Sequence, residues 1–238
     1  MKGFALIQLI RFQISLFFSE AFFGNLQGIL KYFLDKAGDT LNSQPIILPI
    51  PENAPEEIPR MILRSSDNSR ELQLKTNRID ITITKPFEKG ISESERAEFE
   101  KSATLWLSLL IDEKKVSANR VGVVIQRAFL PEGISPGEFI SKKYCKEEFL
   151  DQPFRNAKNF EIHCLKKYNF LGRKINSWVR IQTLKILPSK KQVVGVLNDL
   201  NHVPSSTNLS SAEIGTFISG ANSEAEKILA FYKIKGSI

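Results

Sequence analysis

Even positions from 4 to 18 read Phe, Leu, Gln, Ile, Phe, Ile, Leu, Phe, while odd positions turn polar from Arg11 to Ser15. A two-residue contrast of this kind predicts a long strand with one buried face. The period then changes. Phe22, Leu26, Ile29, Leu30 and Phe33 recur at helical spacing, up to a C-cap at Lys36-Ala37-Gly38. Prolines at 45, 49, 51, 55 and 59 come next. Proline lacks the amide donor that ladders and helix interiors use, so this stretch predicts an extended connector. Its isoleucines 46, 47, 50 and 58 suit a chain lying on a surface.

Met61–Arg64 and Glu71–Lys75 flank the turn-forming run Ser65-Ser66-Asp67-Asn68-Ser69, which predicts a hairpin. Ile79, Ile81 and Ile83 alternate with Asp80, Thr82 and Thr84, a half-buried strand. Ser92 and Glu95 have capping-box spacing, and the helix they start aligns Phe99, Ala103, Trp106, Leu107 and Leu110 in one stripe. Val121, Val123 and Ile125 mark another strand. Ser135-Pro136 opens a short helix through Phe139, Ile140 and Tyr144. Three strand-like runs, 158–170, 175–187 and 192–200, are joined by turns at 171–174 and 188–191. A last helix begins at Ser210 or Ser211.

Strands joined by tight turns, with helices at their ends, predict an α+β fold of mainly antiparallel sheet with helices packed on one side. The order divides into an N-terminal half, 1–130, and a C-terminal half, 131–238, or forms one domain. The strand–hairpin–helix rhythm occurs twice and allows two similar halves, with no residue-level repeat evident.

Two strings carry a family resemblance: Asn119-Arg120-Val121-Gly122-Val123-Val124 after an amphipathic helix, and Val194-Gly195-Val196-Leu197-Asn198-Asp199-Leu200 before a long final helix. In pattern, residues 60–235 resemble a sporadically distributed bacterial α+β family, with a layout similar to SecB-like export chaperones. The resemblance implies a fold but no reaction, and no functional residue carries over. The family's usual opening strand, with a Pro and a Glu, is not evident.

Composition narrows the class. Of 238 residues, 42% are hydrophobic and 25% charged, which excludes disorder, collagen-like repeats and a disulfide scaffold. Residues 3–34 hold seven of the 17 phenylalanines, yet Gln8, Arg11, Gln13, Ser15, Ser19 and Glu20 interrupt them. A transmembrane span needs about 20 predominantly apolar residues, so none is expected, and no small-residue cleavage site marks a signal peptide. Two cysteines, Cys145 and Cys164, without CxxC spacing, predict a reducing, cytoplasmic compartment.

The net charge of +7 is local. Residues 158–191 hold nine Lys or Arg and one acid, Glu161, a net of +8. The rest of the chain has 24 basic and 25 acidic residues. Within the basic segment, Lys166, Lys167, Arg173, Lys174, Arg180, Lys190 and Lys191 are interleaved with Phe160, Tyr168, Phe170 and Trp178. Cations with aromatic rings on a sheet track phosphates and stack bases. Lysines also guard sheet edges against aggregation, and strand aromatics are ordinary core residues. Both readings of Lys166, Lys167, Arg173, Lys174, Trp178, Arg180, Lys190 and Lys191 stand at this point.

No phosphate-binding glycine loop, HExxH or G-x-S-x-G motif occurs. His163 and Cys164 are strand neighbours and point to opposite faces, which disfavours a shared metal; Cys164 has the parity of Phe160 and Ile162 and is expected in the core. His202, near Asp199, suggests a base and its orienting carboxylate, without an identifiable nucleophile. Asp80 with Glu113-Lys114-Lys115 imitates parts of a metal-dependent nuclease, but Glu113 closes a helix. No catalytic residue, metal or cofactor is therefore assigned. The expectation is a cytoplasmic protein of bacterial type, acting without catalysis by binding a protein partner or itself. The alternative is a nucleic-acid-binding module using 158–191.

Overall fold

The alternating segments assemble into one nine-stranded antiparallel sheet, seen in a computed structural model that describes residues 7–19, 26–51, 54–146, 158–187 and 189–232. In chain order the elements are β1 (Gln8–Phe18), α1 (Leu26–Ala37), β2 (Ile46–Ile47), β3 (Met61–Arg64), β4 (Arg70–Leu74), β5 (Arg78–Thr84) and α2 (Glu93–Lys114). Then follow β6 (Ala118–Phe129), α3 (Pro136–Tyr144), β7 (Glu161–Phe170), β8 (Arg173–Ile186), β9 (Lys191–His202) and α4 (Ser211–Phe231). Across the sheet the order is β2-β3-β4-β5-β1-β6-β9-β8-β7. This is the predicted α+β class. Phe4, Leu6, Phe22 and Pro188, which the sequence reading used, lie outside the described residues. Among the described residues no helix is long and apolar enough to cross a membrane.

The helices share one face. Phe12, Ile14, Ile81, Val123 and Leu200 point toward Phe33 of α1, Phe99 and Leu107 of α2, and Phe217 of α4, in one continuous core. Ile140 of α3 extends it over Val179, Ile181, Val194 and Val196. The opposite face carries no helix among the described residues.

Gln8, the one polar member of the even-position pattern, has a structural reason. The β1–β6 register shifts between Leu9 and Arg11, a bulge that exchanges the faces of the residues before it. Leu9 therefore packs on the helix-side core, whereas Ile10 joins Ala128 and Val193 on the other side. The β7–β8 turn is also tighter than expected. Leu171 (φ 52°) and Gly172 (φ 80°) form a two-residue turn with both residues left-handed, which suits the twist of the flanking strands. Arg173 and Lys174 consequently belong to β8 and not to the turn.

Chain order and sheet order together disclose a repeat. β1-α1-β3-β4-β5-α2 and β6-α3-β7-β8-β9-α4 are each a strand, a helix, a three-strand meander and a helix. Each opening strand pairs with the last strand of its own meander, and β1 and β6 join the two units side by side. A residue-level echo accompanies this topology. Ser92, Glu95, Phe99 and Ala103 recur as Ser210, Glu213, Phe217 and Ala221, each 118 residues later. Both serine–glutamate pairs form complete capping boxes, and both phenylalanines and alanines are buried.

Candidate functional site

β7 ends the sheet. Among the described residues it pairs only with β8, and none of its ten residues is buried. Its central run, His163-Cys164-Leu165-Lys166-Lys167, does not alternate cleanly between apolar and polar, so neither side of the strand makes a continuous buried stripe.

On the bare side of the sheet, His163 lies opposite Arg180, Leu165 opposite Trp178, and Lys167 opposite Asn176. Leu165 is 40% and Trp178 42% exposed, an apolar pair open to solvent. Glu161 contacts both the His163 imidazole and, at 3.2 Å, Arg180 Nε. A groove of about 430 Å³ continues from this pair to Arg11, Gln13, Leu197 and Asp199.

On the helix side, β7 and β8 face the last turns of α4. Cys164, Tyr168, Val179, Ile228, Phe231 and Tyr232 line a groove of about 460 Å³. The Tyr168 hydroxyl donates to Glu224 at 2.8 Å. Burial pushes the pKa values of Tyr168 and Tyr232 up to about 12. Phe231 is 81% exposed at the groove's rim, and Lys166 lies 5.5 Å from the Tyr168 ring centre.

The eight residues singled out in the basic segment do not converge. Lys167, Lys174, Trp178 and Arg180 share the bare face, whereas Lys166 projects on the helix side. Arg173 is held by Glu213, with Nη2–Oε1 at 2.6 Å, beside the start of α4. Lys190, with φ 55°, turns the chain between β8 and β9, and Lys191 sits over Phe87. The two turns lie at opposite ends of the 14-residue β8, about 43 Å apart at ~3.3 Å per residue. The interleaved aromatics divide as well. Phe170 packs edge-on against Phe217, and Phe160 and Tyr168 are half-buried on the helix side. Trp178 alone of the four is exposed on the bare face.

Two expectations about single residues are corrected. Cys164 is exposed, because its strand is the sheet's edge and α4 only partly covers it. Asp199 and His202 cannot act as a base and its orienter. Three residues apart on β9, they point to opposite faces, Asp199 toward Arg120 and His202 against Phe217. Burial lowers the His202 pKa to about 4 and raises that of Asp199. Asp80 lies on the bare face, bonded to Ser15 and Lys75, while Glu113 contacts Lys36 across α1 and α2. They sit on opposite sides of the sheet. Among the described residues no three His, Cys, Asp or Glu side chains cluster as a metal requires.

Leu165 and Phe231 escaped the sequence reading. Leu165 is an isolated apolar residue among polar neighbours, a signal only once its strand is known to be an edge. Phe231 reads as the continuation of a helical stripe. No family model matches the chain, and no curated protein matches it either.

Proposed function

We propose that this chain is a non-enzymatic binding protein that engages a protein partner, or a second copy of itself, through β7 and the surfaces beside it. The carrying observation is the edge itself. Among the described residues nothing pairs with the outer side of this ten-residue strand, which is flanked by an open apolar pair and an apolar groove. Such an edge is a template for pairing with another chain. The nucleic-acid alternative draws support from Trp178 flanked by Arg180 and Lys174. It is the weaker reading, because the segment's cations divide between two faces and two ends.

Photo-crosslinking tests the proposal. A photoactivatable leucine analogue replaces Leu165 in the full chain, with Leu105 on α2, also exposed, as the control position. A discrete protein adduct, heterologous or with a second copy, at several times the yield from position 105 supports the binding role. Equal yields, or adducts to nucleic acid alone, overturn it.

A further inference from the structure

Resting on that reading, we infer that β7 takes up, as an added antiparallel strand, an extended segment of another protein in which apolar and acidic residues alternate. The first unit of the repeat supplies the precedent. Its edge strand, β3, occupies the position that β7 holds in the second unit, and there the chain's own connector closes the edge. Ile46 pairs with Ile62 and Ile47 with Met61, both antiparallel. The amides of Ser43 and Leu48 donate to the carbonyls of Arg64 and Arg60, at 2.9 and 3.0 Å. The same unit thus accommodates one more strand on its outer side, and among the described residues nothing fills that place at β7.

The two sides of β7 define what the added strand carries. Side chains on successive residues of a strand alternate between faces. One set would enter the helix-side groove, whose floor of Val179, Ile228 and the Tyr168 and Tyr232 rings favours apolar groups. The other set would lie over the bare face, beside Lys167 and Lys174, which have no ionic partner among the described residues. Glu161, the single acid of the segment, is already engaged by His163 and Arg180. Carboxylates therefore complement this side, and their methylene stems would rest on Leu165 and Trp178. Main-chain hydrogen bonds would provide affinity, and the alternate pockets selectivity.

The test uses the full chain and a labelled synthetic octapeptide of alternating isoleucine and glutamate, with binding followed by fluorescence anisotropy. Methylating alternate peptide amides removes donors along one edge of the peptide only. Methylation in one phase is expected to weaken binding at least tenfold, and in the other phase less than about twofold. The double variant K167E/K174E, at exposed positions, is expected to weaken binding about tenfold and to reverse the preference toward an isoleucine–lysine peptide. Equal sensitivity to both phases, or no binding, overturns the inference. If the peptide fails while protein adducts still form at position 165, strand addition falls and the binding role stands. A single-stranded oligonucleotide that displaces the peptide at lower concentration overturns both.

Discussion

Leu165 and Trp178 are cross-strand partners on the face that carries no helix among the described residues, and both remain about two-fifths exposed. Elsewhere in the sheet, paired large apolar residues such as Ile14 and Val123 are fully covered by the helix layer. An exposed pair contributes little to folding. Leu165→Ala should change stability by less than about 0.5 kcal/mol and Trp178→Ala by no more than about 1 kcal/mol. Urea unfolding reads that difference. The same substitutions should reduce peptide affinity severalfold, which separates a binding role from a structural one.

The matching caps of α2 and α4 should be energetically matched too. Ser92 and Ser210 each accept from the amide of the glutamate three residues on, at 3.3 and 3.2 Å, and each glutamate reaches back to its serine amide. Ser92→Ala and Ser210→Ala should each lower stability by about 1 kcal/mol. The two helices pack antiparallel, with Gly215 of α4 on Thr104 of α2 and Glu93 near the Arg127 that binds Glu226. The two caps lie at opposite ends of the pair, so the double variant should lose the sum, measured by equilibrium unfolding.

Asp80 is the counter-charge of a buried polar cluster on the bare face. It accepts from Ser15 Oγ at 2.6 Å and Lys75 Nζ at 2.7 Å, with Arg78 Nε at 3.1 Å. Asp80→Ala leaves two cations side by side with little solvent access, and should cost about 3 kcal/mol. Asp80→Asn keeps an acceptor for Ser15 and should cost less. Thermal or urea unfolding at neutral pH distinguishes the two.

His202 predicts an acid-side loss of stability. Its ring lies 4.4 Å from that of Phe217, and burial, reinforced by Arg173 and Arg120 and opposed by Glu213, lowers its pKa from 6.5 to about 4. Between those values the unfolded chain binds a proton that the folded protein does not. The contribution is therefore complete above pH 6.5 and lost as pH falls toward 4, up to about 3 kcal/mol at 1.36 kcal/mol per pKa unit. His202→Phe removes this dependence. The stability difference between wild type and variant should shift in the variant's favour from about pH 7.5 to about pH 4.5. A constant difference would place the imidazole in solvent.

Much of this fold was legible locally. Ile79, Ile81 and Ile83 announced a strand and Ser92–Glu95 a helix start, because alternation and capping are properties of neighbouring residues. The repeat was hidden for a physical reason. The helix-facing positions that are isoleucine in β5 include Asn198 and His202 in β9, so the strands diverged while caps and helix-core residues kept their identity. The basic segment was visible as a count, and strand parity alone separates Lys166 from Lys167. What local pattern could not supply was the edge. That β7 ends the sheet follows from β9 pairing with β6, a contact between residues about 70 positions apart, and such long-range pairings leave no signal in short-range periodicity.

Amide hydrogen exchange across Glu161–Phe170, with and without the isoleucine–glutamate octapeptide, tests the central claim most directly. In the free protein, amides on the outer side of β7 should exchange far faster than those paired with β8. On peptide binding, those outer amides alone should slow at least tenfold, every second residue along the strand, with β8 unchanged. Unaltered exchange along β7 at saturating peptide, or protection confined to other elements, would contradict binding at this edge.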